Sequence, residues 1–118
     1  MDERMIRIST HVLDTAVGKP ARDMAVRLEH RENSGEWRVV SSGRTDQEGR
    51  CHQLARDEKA LPPGTYRLAF DTADYYAAQN VHGLYPIVQI TFSLQERETH
   101  LHIPLLLSPH GYTTYRGS

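Results

Sequence analysis

Three histidines occupy positions from which they could act together. His100 and His102 are separated by one residue near the end of the chain, and His11 lies near its beginning. Residues two apart in a β-strand project from the same face, so His100 and His102 would share one side of a strand. Imidazole titrates near neutral pH and can both accept and donate a proton, so such a group is suited to general acid–base catalysis.

A zinc site is a second interpretation of these residues. Two imidazoles on one face of a strand can bind zinc when a third ligand, here His11, lies nearby. Nothing in the spacing requires a metal, and the arginines clustered with the histidines would repel a cation. We therefore predict no metal and no cofactor. The isolated histidines are assigned no role; they are His30, His52, His82 and His110.

The two segments that carry the first three histidines alternate like strands with one core face. Residues 5–13 and residues 99–107 each direct one set of side chains inward and the other outward. The predicted inward residues are Ile6, Ile8, Thr10 and Val12, then Leu101, Ile103, Leu105 and Leu107. The predicted outward residues are Arg7, Ser9, His11 and Leu13, then His100, His102, Pro104 and Leu106. The histidines are thus expected on an outer face.

The rest of the chain adds further strand and turn patterns. Strands are predicted at residues 24–28, at 36–40 with Trp37 and Val39 inward, around Leu54, at 66–70, at 87–94 and, less regularly, at 112–116. Loops are predicted at 14–20 and 41–49, with tight turns at 33–35 and 62–64. Asp71 or Thr72 can cap a short helix through about Asn80. Seven or eight short strands and one short helix favour an all-β antiparallel β-sandwich.

The composition predicts one domain over residues 1–118. A chain of 118 residues and 13.5 kDa supports one core. Its net charge of -1 gives no electrostatic reason to bind nucleic acid or an acidic membrane surface. The first residues lack the basic start and apolar run of a secretion signal, so the expected location is the cytoplasm. The single cysteine, Cys51, is expected to be a buried thiol.

Apolar residues accompany the histidines on the predicted outer face. Leu13 and Leu106 would be exposed to water in a monomer. Apolar surface of this kind commonly marks contact with another molecule. We therefore expect a second subunit to cover this face, with the histidines lining a cleft at the interface.

Several stretches together resemble the 5-hydroxyisourate hydrolases, the transthyretin-related enzymes of purine breakdown. They are STHVLD at residues 9–14, HIPLLLSP at 102–109 and YTTYRGS at 112–118, with shorter matches at 49–51, 63–66 and 85–86. The ending Tyr115-Arg116-Gly117-Ser118 is the most specific, because it distinguishes the hydrolases from the hormone-carrying transthyretins. The resemblance extends over nearly the whole chain.

The resemblance implies a transthyretin-like sandwich in a homotetramer, a dimer of dimers, with active sites at the dimer–dimer interface. It implies hydrolysis of 5-hydroxyisourate to 2-oxo-4-hydroxy-4-carboxy-5-ureidoimidazoline without a cofactor. The catalytic positions of the family correspond here to His11, Arg50 and His102, and Tyr115 and Ser118 match the tail that closes the site.

One position departs from the family pattern. Glu48 stands before Gly49-Arg50, where the family commonly has aspartate, so the neighbouring Arg44 is a fallback for Arg50.

Hydrolysis of a cyclic amide needs a base for water, a donor for the developing oxyanion and a proton for the leaving nitrogen. Two imidazoles and a guanidinium can supply all three, and the residues alone leave open which histidine is the base. A non-catalytic small-molecule carrier of the transthyretin type is the alternative, but it favours an apolar channel rather than histidines. A purely structural sandwich leaves the polar outer face unexplained.

Overall fold

The computed structural model describes residues 6–55 and 61–118. Position 5 of the first predicted strand lies outside these residues. The described part of the chain contains nine strands and one helix. They are β1 (Arg7–Asp14), β2 (Lys19–Pro20), β3 (Ala25–Arg31), β4 (Trp37–Arg44), β5 (Arg50–Ala55), β6 (Gly64–Phe70), α1 (Thr72–Ala77), β7 (Val88–Leu94), β8 (His100–Ser108) and β9 (Gly111–Thr114).

The strands form the predicted β-sandwich. One sheet has the order β2-β1-β8-β9, with β5 also pairing with β1, and the other has the order β4-β3-β6-β7. The strand number is nine rather than seven or eight within the described residues, because the predicted loop 14–20 contains the two-residue strand β2. One pairing is not antiparallel, because β1 and β8 run in parallel. Parallel strands need a long crossover connection, and here the elements from β2 to β7 lie between the two strands in sequence.

The core between the sheets contains the predicted inward residues of β1 and β8. Ile8, Val12 and Leu105 have no exposed surface, and Thr10 is equally buried. Thr10 is accommodated because its hydroxyl donates to the carbonyl of Ile103. The alternation predicted for the two strands is confirmed except at Pro104, and it sends Ser9, His11 and His102 to the other side of the sheet. Pro104 was predicted to point outward but is buried, in the part of β8 that lies beside β9, where its carbonyl accepts from the Thr114 hydroxyl.

Strand β4 departs from its predicted alternation. The strand extends to Arg44 into the predicted loop, and Val39 is 51% exposed rather than inward. Leu28 lies opposite Ser41 while Glu29 lies opposite Val39, so Val40 is an additional residue in a β-bulge. A bulge of one residue reverses the sidedness of the strand beyond it. This explains why Val40, and not Val39, packs against the core.

The helix is shorter than predicted. Helix α1 ends at Ala77, and Asn80 adopts a positive φ of 59° in the turns that follow. Asp71 occupies the N-cap position without a capping hydrogen bond from its side chain. Thr72 instead donates its hydroxyl hydrogen to the carbonyl of Tyr85, which attaches the helix to the loop before β7. No helix within residues 6–55 and 61–118 is long and apolar enough to cross a membrane.

Candidate active site

Strand register brings the predicted site residues to one face. On β1, His11 lies opposite Arg50 of the antiparallel strand β5, and Ser9 lies opposite His102 of the parallel strand β8. The neighbouring residues Thr10, Cys51 and Ile103 are buried beneath them, whereas Arg50 is exposed and the two histidines are half-buried. Residues that are far apart in sequence therefore meet on the outer surface of the β1-containing sheet.

The ring of His102 is held from three directions. Its Nδ1 lies 2.9 Å from the hydroxyl oxygen of Ser9. The ring of His100 lies parallel to it, with 6.5 Å between the ring centroids and 4° between the planes. Gly117 approaches so closely that a Cβ there would lie 2.6 Å from Cδ2 of His102. These contacts fix the orientation of the imidazole.

The surroundings of His102 favour its neutral form. Partial burial is the largest cause that lowers its pKa, and electrostatic interactions with His11, His100, Arg50 and His52 add to that effect. His52, to which the sequence assigned no role, lines a groove together with Arg50 and so belongs to this group of side chains. A neutral imidazole carries one N–H donor and one acceptor nitrogen, so both functions are available at near-neutral pH.

A turn before β5 orients His11. Its Nε2 donates a hydrogen bond of 2.8 Å to the carbonyl oxygen of Glu48. The carboxylate of Asp46 accepts from the backbone N–H groups of Glu48 and Arg50, at 2.9 and 3.0 Å. The N–H of Arg50 is the largest cause that lowers the pKa of Asp46. The turn thus supports His11 and the start of β5 together.

Gly49 allows this turn to pack against β1. It has a positive φ of 79°, a conformation that residues with a Cβ rarely adopt. Its carbonyl accepts from the N–H of Val12 at 2.7 Å, and a Cβ at this position would collide with the carbonyl oxygen of Val12. The spacing from Asp46 to Gly49 is a turn signal that could have indicated the role of Asp46 from the sequence.

The two arginines of this region have different partners. The Nε atom of Arg50 lies 3.7 Å from the carboxylate of Glu48, so the longer acid of this chain reaches the predicted arginine. Arg44 is bound to Asp23, with Nε donating to the carboxylate at 2.7 Å and Nη2 to the carbonyl at 2.8 Å. Arg44 and Arg50 both line an open groove of about 290 Å³, together with His52. Arg44 also lines a second groove of about 420 Å³, which Arg50 does not line.

The end of the chain is docked beside His102. The N–H of Gly117 donates to the carbonyl of His102 at 2.8 Å, and Arg116 forms an ion pair with Glu98 at 2.8 Å. Tyr115 is 56% exposed and Ser118 is exposed as well. The tail therefore lies at the edge of the candidate site, while the side chains of Tyr115 and Ser118 face solvent in the isolated chain.

The structure also bears on the zinc interpretation. Among the described residues, no three histidine, cysteine or acidic side chains are arranged to hold a metal ion.

Sequence reasoning missed Ser9 and Gly117 as site residues. Ser9 was placed on the same strand face as His11, which was the available signal for its role, whereas the contact of Gly117 with His102 has no signature in the sequence.

Residues 8–117 match the HIUase/Transthyretin family. The chain is 41% identical over 111 residues to a protein named 5-hydroxyisourate hydrolase from Salmonella dublin, a match that spans 94% of this chain and 80% of the relative. Its fold is similar to that of sea bream transthyretin in complex with thyroxine, with a TM-score of 0.87, 31% identity and coverage of 93% of each chain. It is also similar to 5-hydroxyisourate hydrolase from Klebsiella pneumoniae, with a TM-score of 0.80, 30% identity and coverage of 95% and 99%. From its sequence, fold and site, the chain belongs to the HIUase/transthyretin family.

Proposed function

We propose that this protein hydrolyses 5-hydroxyisourate to 2-oxo-4-hydroxy-4-carboxy-5-ureidoimidazoline, a step in urate breakdown. Relatives from Salmonella and mouse that are 41% identical to it are named 5-hydroxyisourate hydrolase. The observation that carries the proposal is the register that brings His11, Arg50 and His102 together on one sheet face. Proton-transfer groups and a cation are what ring opening by water requires.

The proposed reaction is attack of water on a ring carbonyl carbon. The oxygen–carbon bond forms as a histidine accepts a proton from water, and the ring carbon–nitrogen bond then breaks as the nitrogen receives a proton. His11 and His102 are groups on this face that can accept or donate a proton in these steps. Arg50 remains positively charged and presents several N–H donors in one plane, so it can bind the substrate's oxygens and stabilise the oxyanion.

The tail completes the proposed site. Tyr115 and Ser118 are proposed to contact the substrate as walls, because the backbone of Gly117 is hydrogen-bonded to His102 next to them. Ser118 is not proposed as a nucleophile, since it is exposed and does not lie on a strained turn. Of the neighbouring basic residues, His100 lies on the same face of β8 as His102. The guanidinium of Arg44 is bound to the carboxylate of Asp23.

We further propose a homotetramer, a dimer of dimers, with the sites at the dimer–dimer interface. In a single chain the candidate site is an open surface, and half-buried Leu13 and Leu106 lie on the same face. A second subunit would cover this apolar area and turn the surface into a cleft. A sedimentation experiment at micromolar concentration tests this, and a monomer would contradict it.

We place the enzyme in the cytoplasm, where a buried free thiol such as Cys51 stays reduced.

The similarity to thyroxine-bound transthyretin makes a carrier the second candidate. A carrier would line the same face with apolar side chains that contact an aromatic ligand. This face instead presents His11, Arg50 and His102, with the pKa of His102 held low. Calorimetry with thyroxine distinguishes the two: a carrier would bind it tightly and would not change the lifetime of 5-hydroxyisourate.

The test of the hydrolase follows 5-hydroxyisourate by ultraviolet absorbance as urate oxidase generates it from urate. Wild-type protein should shorten the lifetime of the intermediate. His102→Ala or Arg50→Ala should lower kcat/KM roughly a hundredfold, the usual effect of removing an acid–base group or an oxyanion donor. His82→Ala and Arg31→Ala, which change exposed residues elsewhere, are the matched controls. Near-wild-type turnover in both site variants would contradict the proposal.

A further inference from the structure

The hydrogen bond between Ser9 and His102 joins the two strands that run in parallel. The residues are 93 positions apart in sequence, and the 2.9 Å contact lies between the Ser9 hydroxyl oxygen and His102 Nδ1. Ser9 and His102 are direct neighbours in the β1–β8 register. The hydroxyl is therefore held at Nδ1 by the backbone of both strands and not by a flexible loop.

The contacts of His102 leave one edge of its ring available. Ser9 occupies the Nδ1 side, and Gly117 lies against Cδ2 and Cγ. The remaining edge consists of Cε1 and Nε2. Within residues 6–55 and 61–118, Nε2 has no hydrogen-bond partner of its own, so this nitrogen is the one that can meet a substrate.

The partners of Ser9 indicate where the ring proton lies. A hydroxyl can donate to an unprotonated imidazole nitrogen or accept from a protonated one. Nδ1 is the acceptor that the described residues provide for the Ser9 hydroxyl hydrogen. If Ser9 donates to Nδ1, the proton of the neutral ring must be on Nε2. The pKa of His102 is lowered, chiefly by partial burial, which agrees with a neutral ring at this position.

His11 has the opposite arrangement. A backbone carbonyl can only accept, so the contact between His11 Nε2 and the Glu48 carbonyl places a proton on Nε2 of His11. In neutral His11, Nδ1 then carries the free electron pair. The two histidines thus differ in kind: His11 offers an acceptor nitrogen, and His102 offers an N–H donor.

We propose that Ser9 is a positioning residue that keeps the proton of His102 on Nε2, so that neutral His102 donates a hydrogen bond to the reacting carbonyl while His11 is the base. A neutral imidazole can act in this way as an electrophile towards a carbonyl oxygen. Water loses its proton to Nδ1 of His11 as its oxygen bonds to the carbonyl carbon. His11 then returns that proton to the ring nitrogen as the carbon–nitrogen bond breaks. This inference rests on the proposed hydrolase function.

Two measurements on the protein test it. The first is ¹⁵N NMR of labelled histidines, with His102 assigned by comparison with His102→Ala. Wild-type protein should show a pyridine-like Nδ1 and a protonated Nε2 at His102, and Ser9→Ala should produce a mixture of tautomers. The second is steady-state hydrolysis of 5-hydroxyisourate. Ser9→Ala should lower kcat about tenfold, equivalent to 1.36 kcal/mol, and change KM less than about twofold, because the stronger hydrogen bond forms in the transition state.

The controls separate positioning from folding and from the function itself. Ser9→Thr keeps the hydroxyl and should restore both the tautomer and kcat. Ser93→Ala removes an exposed hydroxyl from the other sheet and should change neither, and thermal unfolding verifies that each variant is folded. A proton on Nδ1 of His102 in the wild type, or unchanged kcat in Ser9→Ala, would overturn the proposal. Wild-type protein inactive on 5-hydroxyisourate would instead refute the hydrolase function, while the NMR result would still decide how Ser9 and His102 are bonded.

Discussion

Replacing Gly117 with alanine should detach the tail without unfolding the sandwich. A Cβ at this position would lie 2.6 Å from Cδ2 of His102, so one of the two must move. Forcing an additional carbon into a packed contact costs about 1–3 kcal/mol. The hydrogen bond from Gly117 to His102 contributes only about 0.5–1.5 kcal/mol. The ion pair of Arg116 with Glu98 adds little, because the arginine is solvent-exposed. Over most of its range the cost of the clash exceeds the contribution of the hydrogen bond, so we expect the tail to move away.

The expected result is loss of activity with little loss of stability. Displacing a site element by about 1 Å can reduce the rate about a hundredfold, and we expect kcat/KM for 5-hydroxyisourate to fall by that order in Gly117→Ala. Unfolding in urea should change by less than about 1 kcal/mol, as for a surface substitution. Deleting residues 116–118 should reproduce both values.

The matched control for this substitution is Gly111→Ala. A Cβ at Gly111 would meet the hydroxyl oxygen of Ser108 at an ordinary 3.8 Å, so activity and stability should be retained. Wild-type kcat/KM in Gly117→Ala would refute the reasoning that the docked tail completes the site. A loss of stability as large as that of a core substitution would refute the expectation that the tail detaches.

Two further predictions concern pH and the turn at Gly49. The pKa of His102 is lowered from its usual 6.5 in the folded protein, so the unfolded chain binds more protons at this group. The stability that this group contributes is therefore complete above pH 6.5 and is lost as the pH falls through the folded pKa. Urea unfolding from pH 8 to 5 should show this decline, and His102→Gln should reduce it; an unaltered profile in that variant would assign the decline to other groups. Gly49→Ala should destabilise the fold by about 2–5 kcal/mol, from backbone strain together with the collision with Val12. Gly18 also has a positive φ, but a Cβ there would meet no atom within 4 Å, so Gly18→Ala should show only the loss due to backbone strain in chemical denaturation. Equal losses of stability in the two variants would contradict a role for the collision.

The alternation of β1 and β8 was predictable because one face of each strand is buried. Ile8, Val12 and Leu105 could only be core residues, and their burial determines that His11 and His102 lie outside. The mutual placement of the strands was not predictable in this way. Alternation states which face a residue occupies but not which strand lies beside it, so the pairing of Ser9 with His102 required the fold.

The errors in the prediction have physical causes that lie between elements. The bulge at Val40 depends on how β3 and β4 pair, so a periodicity that was read from β4 alone assigned Val39 to the wrong side. The helix stops because Asn80 adopts a positive φ, which its side-chain type permits but does not require. The turn that supports His11 uses the carbonyl of Glu48, and a backbone carbonyl has no signature in the sequence.

The parallel pairing of β1 with β8 makes the site late to form during folding. Contacts between residues as distant as Ser9 and His102, 93 positions apart, require a long loop to close and are made slowly. On the ribosome, β1 emerges well before β8 and has to wait for it before its ladder is complete. A chain interrupted before residue 100 would leave that edge of β1 unpaired, open to association with other chains, and would lack His102 as well. Activity in this protein would therefore report that synthesis has passed β8.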